Sequence, residues 1–448
     1  MNSTADDLQA LVKAAPFIDI YLDVDSPEHE AAKVDAKAKA KAETETKTKT
    51  KEHTNPLATT SEVAETKQAF SEAPATDLPR SAAYPVLPLA IGNKGNTDTT
   101  ASHPAAVPAD LYPALLRAHI ALAKVTEASR TMVLAEAPAR FLLLKAAHSD
   151  RVLCHRPDDA FVDIPEFLLP VDSASAQPLE KSASLLEKLS MRARESGINK
   201  QLVTELSIKS GNRQLLREGA LEQDSGIFGC EYTAADAAQL NVLMENWLEY
   251  VELSARNTDA LIVNAIAYHQ FLSMSPFETG NSAAALAMFQ LLLIDSGVIS
   301  LPILAISENV QENIDTHYSL FKNLNEQRND VNVHRWLEHC IELITVAATQ
   351  TLSRIHGCRA QASFIQESVA QTLSGSHSHA VTQVLIEQPV IRIKDFVDRG
   401  IAKRQTSSVY LKKLCDAGVL KERQSGKEKL FLNNRYLQIF SWDSGQSA

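Results

Sequence analysis

Eight residues between two apolar stretches, Ser275-Pro276-Phe277-Glu278-Thr279-Gly280-Asn281-Ser282, combine a turn with the start of a helix. A loop feeding a helix leaves the first backbone N–H groups without partners, and a glycine there lets an anion come close. Gly280, Asn281 and Ser282 are therefore a candidate phosphate-binding end. The alternative is an ordinary loop-to-helix junction, since such junctions often contain Gly-Asn. Ser275 has no useful basicity near neutral pH. The nearest histidine, His269, lies six residues earlier; on a helix that is a net rotation of about 240°, so it faces away from the loop. His334, His339 and Cys340 stand at i, i+5 and i+6, which gives no helical ligand pair, and no metal site follows from them. The five cysteines (Cys154, Cys230, Cys340, Cys358 and Cys415) are odd in number and lack CxxC spacing. They read as reduced thiols in a cytoplasmic protein.

The elements that must hold this junction are helices. Leu111, Leu115, Leu122 and Val125 recur at helical spacing, with Pro113 suited to a first turn. Segments 178–196, 234–254 and 259–274 continue the pattern, and an apolar helix is predicted over about 282–296. Asn281 is its N-cap candidate and Gly297 its stop. Leu286, Met288, Phe289 and the run Leu291-Leu292-Leu293 are predicted core. Further helices are predicted over 308–325 and 332–357. The polar stretch 211–233 breaks the pattern, and Ile227-Phe228-Gly229-Cys230-Glu231-Tyr232 reads as a short hairpin.

Charge divides the chain. Between Val381 and Phe440 twelve Lys and Arg face six acids, a local charge of +6 that leaves −17 for the rest of a chain whose net charge is −11. A change of sign over 60 residues marks a separate module. Three short helices are predicted there, over 382–386, 393–399 and 406–417. Gly418 then stops the last helix, and two strands follow around Val419-Leu420-Lys421-Glu422 and Leu430-Phe431-Leu432, the order of a winged helix-turn-helix. Arg404, Gln405, Thr406, Ser407 and Ser408 open the third helix, where this motif makes base-edge contacts. Lys403, Lys412, Lys413, Lys427 and Lys429 are placed for phosphates, on the helix and the wing. Protein contacts are the competing use of such a module.

At the other end, residues 1–80 read as an acidic, low-complexity leader. Phe17 to Val24 alternates like a strand without a partner, and from Ala31 to Glu52 the chain is almost entirely Ala, Lys, Thr and Glu. Such a composition buries too little apolar area to offset ordering entropy of about 1–2 kcal/mol per residue. The first thirty residues hold seven acids and one lysine, which excludes a secretory signal or transit peptide. No apolar run reaches the roughly 18–20 residues that span a bilayer.

The junction resembles the signature HPFx(D/E)GNGRxxR of Fic (Fido) proteins, which usually transfer AMP from ATP to a protein hydroxyl. The likeness extends upstream to Ala265-Ile266-Ala267-Tyr268-His269-Gln270-Phe271. Downstream it takes in Leu301-Pro302-Ile303-Leu304-Ala305-Ile306-Ser307, Asn313, Tyr318 and Trp336. Leu111 to Lys124 resembles the N-terminal helix of Fic proteins that carry a C-terminal winged helix, and Val381 to Phe440 resembles that winged helix. The resemblance implies a mainly α fold: a Fic-type helical domain over 81–370 (N-terminal helices 109–200, core 230–345), with a β-hairpin flap and a winged helix over 378–442. It also implies ATP and Mg²⁺ as cofactors and a protein client at the flap, for which Tyr232 and Thr233 are the matching positions. A hairpin that merely supports the loop fits equally well.

The departures remove chemistry. Ser275 stands at the family's catalytic His, Thr279 at the metal-binding acid, Ala283 at the phosphate-clamping Arg and Leu286 at the last Arg; Glu278 is one position early. Losing the base alone forfeits roughly 10²–10⁴-fold in rate. Family members of this architecture also resemble one another in an inhibitory SSxIEN helix, whose Glu pairs with the last Arg. Here the matching stretch, His148 to Cys154, keeps Ser149 and puts Leu153 at the Glu position. The loop-shaping residues Pro276, Phe277, Gly280 and Asn281 remain. The expectation is a degenerate Fic-like protein that binds or regulates through duplex DNA and has no intact catalytic residue and no metal site. The alternative is a divergent transferase using the Gly280-Asn281 terminus. A homodimer is a further expectation; a membrane partner is not.

Overall fold

Asp259 and Gly297 bracket the most apolar part of the chain. The Asp259 carboxylate accepts from the Leu261 N–H at 2.9 Å and starts one helix, and Gly297 at φ 73° ends the next. Between them the helices have no polar face, which is why they lie at the centre. The structure is a computed structural model and describes residues 108–132, 137–155, 168, 176–209, 212, 215–219, 234–254, 258–373, 377–425 and 428–440. The leader, the hairpin around 227–232 with Tyr232 and Thr233, and Lys427 lie outside the described residues.

In chain order the helices are α1 (Tyr112–Ser129), α2 (Ala137–His155), α3 (Ala176–Ser196), α4 (Lys200–Lys209), α5 (Leu240–Ser254), α6 (Ala260–Met274) and α7 (Asn281–Asp295). They continue as α8 (Ile306–Glu312), α9 (Ile314–Glu326), α10 (Asp330–Thr372) and α11 (Ser378–Glu387). Strand β1 (Val390–Arg392) leads into α12 (Ile393–Asp398) and α13 (Arg404–Asp416); β2 (Lys421–Ser425), β3 (Glu428–Leu432) and α14 (Asn434–Phe440) follow. Among the described residues the protein is thus mainly helical with one small antiparallel sheet of order β1-β3-β2. Val390 lies opposite Leu432, and Lys421 opposite Leu432 on the other edge. Helix, strand, two helices and two strands is the element order of a winged helix-turn-helix. No described helix is long and apolar enough to cross a membrane.

Helices α5, α7 and α10 all pack against α6. Trp247 of α5 and Trp336 of α10 donate their indole N–H to the Ala267 and Ala265 carbonyls, at 2.9 and 2.8 Å, so each ring is fixed in orientation as well as depth. Leu286, Met288, Phe289 and Leu291 to Leu293 are buried, as their run predicts.

Several boundaries differ from the sequence expectation. The helix expected over 234–254 begins at Leu240, because Asp236 caps a separate 3₁₀ turn at Ala237–Gln239 by accepting from the Ala238 N–H. The stretch 308–325 is two helices broken at Asn313, whose φ of −121° leaves the helical region. Helix α10 does not stop at Gly357 and runs for 43 residues, about 65 Å. Gly357 is instead where Ile439 of α14 lies against open backbone: a Cβ there would sit 3.1 Å from the Ile439 side chain. Around that contact, Gln361 donates to Asn433 at 3.0 Å and the Arg435 guanidinium stacks 4.1 Å from the Phe364 ring centroid. Phe141 of α2 meets Tyr436 and Phe440 edge-on. The basic module is therefore packed on α10 and α2.

Candidate functional site

Ser275 ends α6 in the left-handed region (φ 41°, ψ 65°), the sole described non-glycine residue with positive φ. Its N–H donates to the Phe271 and Leu272 carbonyls, and its hydroxyl donates to the Leu272 carbonyl at 2.7 Å. The side chain is 0% exposed. This serine closes the end of its own helix, and its oxygen does not face an incoming group.

Three side chains hold the loop that follows. Asn281 brackets Phe277, accepting from its N–H at 2.8 Å and donating to its carbonyl at 2.9 Å. Asn281 is thus the first residue of α7 and not its N-cap; that place falls to Gly280 (φ 75°), whose left-handed backbone turns the chain into the helix without a side-chain cap. Asn212 grips Thr279 in the same two-handed way, accepting from its N–H at 3.0 Å and donating to its carbonyl at 3.2 Å. Buried Arg217 spans the entry. Its backbone N–H donates to Pro276, Nε to the Ser275 carbonyl at 2.9 Å, and Nη1 to Gly219; Nη2 reaches the Ala235 and Met274 carbonyls. Burial lowers its affinity for the proton, with the Asp236 charge opposing. A cation on the last carbonyls of α6 also meets the negative end of the helix dipole.

The remaining candidates fall as follows. Glu278, Thr279 and Gly280 form the exposed tip, while Ser282 is buried and Ala283 half-buried on the first turn of α7. Leu286 and Leu153 are both buried in the same core, on helices α7 and α2 that pack together. His269 lies against the Phe321 carbonyl (3.4 Å) and the Asn325 amide (3.3 Å). Burial pushes it down to about 3, against the Phe321 hydrogen bond, so it is a neutral core histidine. His339 meets His317 at 2.9 Å, His334 lies 3.5 Å from Asp110, and Cys340 is buried.

In the basic module, Lys403 precedes α13, and Arg404, Gln405, Thr406 and Ser408 stand exposed on its first turns. Ser407 does not join them: it is buried, its hydroxyl donating to the Ala402 carbonyl at 3.1 Å. Helical rotation turns that one position inward. Three of the module's cations are paired within it. Arg392 is tied to Asp395, Arg399 to Glu387, and Lys429 to Glu422 at 2.5 Å across the wing. Lys403, Arg404, Lys412 and Lys413 lie exposed along α13.

Asn212, Arg217 and the Lys145–Glu308–Arg354 cluster taken up in the Discussion carry no motif, and sequence reasoning passes over them. The one available signal is Lys145 inside the apolar run Phe141 to Ala147, a place where a charge needs a partner.

Residues 362–436 match the family model described as protein adenylyltransferase SoFic-like, C-terminal domain. Among solved structures the chain is similar to a Fic family protein from Desulfovibrio desulfuricans G20 (13% identity, TM-score 0.43, 71% of this chain and 96% of that one). It is also similar to a Fic domain containing signaling protein from Bacteroides thetaiotaomicron VPI-5482 (10% identity, TM-score 0.40, 54% of this chain and 97% of that one).

Proposed function

We propose that this Fic-type protein, whose residues 362–436 match the SoFic-like C-terminal domain, uses its loop as a scaffold and binds and regulates without transferring AMP. The observation that carries this is Ser275, buried with its hydroxyl spent on the Leu272 carbonyl at the position of the family's base. ATP with Mg²⁺, which the resemblance implies, does not fit the residues present. Thr279 is neutral and held by Asn212; Ala283 and Leu286 supply no cation for a triphosphate. Calorimetric titration with ATP, with and without Mg²⁺, together with an AMP-incorporation assay, tests this. No transfer is expected, and none from Ser275→His either, because the acid and both arginines are still missing. Robust transfer by the wild type that is lost in Ser275→Ala would overturn the reading. It would favour a divergent transferase using the Gly280-Asn281 helix terminus.

For the basic module the partner is duplex DNA, met by α13 in the major groove. The exposure of Lys403, Arg404, Lys412 and Lys413 along this one helix supports it. Arg404, Gln405, Thr406 and Ser408 would face base edges, and Lys403, Lys412 and Lys413 would approach phosphates. Binding is expected to weaken with salt, and Lys403→Ala/Arg404→Ala should reduce the log–log salt slope by about 1–2. A wild type that binds no duplex at low salt would make the module a protein-contact domain.

A further inference from the structure

Helix α13 turns Ser407, Leu411 and Leu414 into the protein. At about 100° per residue, the line opposite that buried row runs past Gln405 and Val409, each within about 30° of it. Lys412 and Lys413 flank the line at about 45–55° on opposite sides, and Ser408 and Thr406 lie further round, at about 75–85°. Val409 is 49% exposed, and every other exposed residue of the helix is polar or charged. A lone exposed aliphatic is ordinary. This one stands on the centre line, one turn after an amide and between two lysines. Asp416 closes the line about 10 Å beyond Val409, and its charge confines a nucleic acid to the first turns.

We infer that Gln405 and Val409 are the specificity-determining pair of α13, and that the duplex they select presents an adenine and a thymine about two base pairs apart in the major groove. This deepens the duplex reading of α13 and rests on it. The Gln405 amide donates and accepts at once, which matches the N7 acceptor and N6 donor of adenine; guanine shows two acceptors there. Val409 carries no polar atom, and the C5 methyl of thymine is the one apolar group on the major-groove edges. The two residues are about 6 Å apart along the helix, close to two base-pair rises of about 3.4 Å. Lys412 and Lys413, one on each flank, then reach toward the phosphates on the two walls of the groove.

Duplexes selected by the full chain from a random-sequence pool at low salt should be enriched in A·T pairs at that spacing. Replacing the selected thymine by uracil, which removes only the methyl, should weaken binding about fourfold. Replacing the adenine by 7-deazaadenine, which removes only the N7 acceptor, should weaken it about 2–10-fold. The first difference should vanish in Val409→Ala and persist in Val409→Ile; the second should vanish in Gln405→Ala. Both side chains face water, so the circular dichroism spectra of these variants should match wild type. A wild type that binds duplexes without base preference, or binds the thymine and uracil duplexes alike, overturns the inference and leaves the duplex reading standing. A guanine-centred site that is lost in Arg404→Ala does the same. A wild type that binds no duplex at low salt overturns both, and Val409 then marks a protein contact.

Discussion

Replacing Glu308 with Ala is expected to cost about 3–5 kcal/mol of stability, the usual consequence of stripping one partner from a buried ion pair. Glu308 lies buried on α8 and accepts from Lys145 of α2 and, at 2.6 Å, from Arg354 of α10. Burial alone would push its carboxyl up, but Arg354 and then Lys145 outweigh it and hold it below the usual carboxylate range. Lys145 is pulled the other way, down from its ordinary value, by burial that Glu308 only partly offsets. The acid therefore stays ionised between two cations. Without it, Lys145 and Arg354 lose the carboxylate they share in a buried seam, and α8 loses an ionic tie to two helices at once. Urea unfolding of Glu308→Ala should show a lower midpoint at unchanged slope. In a cycle with Lys145→Met and Glu308→Met, the double variant should cost less than the two single ones together, because apolar replacement removes the unpaired charge. A cost below about 1 kcal/mol for Glu308→Ala would mean that water reaches the cluster and screens it.

The cluster also marks how far the sequence could be read. The apolar α6 and α7 were legible because burial on all sides leaves no polar residue to disguise the run, and Asp259 and Gly297 punctuate it. In the loop Gly280 was legible, since its left-handed backbone favours glycine, whereas Asn281 brackets Phe277 instead of capping α7 as its sequence position suggests. Arg217 was not legible. Its partners are carbonyls, which every residue has, so no pattern of side chains announces a guanidinium facing the end of α6. Lys145, Glu308 and Arg354 are far apart in the chain, and no local spacing relates them. Gly357 misled in the opposite sense: a glycine that reads as a helix stop is kept for the close approach of Ile439. The break at Asn313 has no Gly or Pro to signal it, and the packing of α8 and α9 decides it. Charge sign located the basic module, but separating the cations of α13 from those spent inside the module required the ion pairs themselves.

The second large effect concerns pH. Asp150 of α2 accepts from the Ser307 hydroxyl of α8, beside the Glu308 cluster. Burial raises its carboxyl to about 7, with the Ser307 hydrogen bond pulling the other way. In the unfolded chain the same group titrates near 3.9. Because the folded value is the higher one, the folded state holds the proton more tightly. The stabilisation is full below about pH 4 and is lost as pH rises through about 7. At about 1.4 kcal/mol per unit, the swing is about 2–4 kcal/mol. Other groups run in the opposite direction: burial pushes His148 down to about 4, and His269 and His317 to about 3, so their protonation disfavours the fold in acid. Wild type alone would therefore give a bell, and the comparison with Asp150→Asn isolates the alkaline limb. The amide keeps the shape and a partner for Ser307 while removing the titration. Its stability should lie near wild type at pH 4 and exceed it by about 2–4 kcal/mol at pH 8.5, read from urea midpoints at each pH. A difference that stays flat from pH 4 to 8.5 would mean that burial does not raise the Asp150 carboxyl.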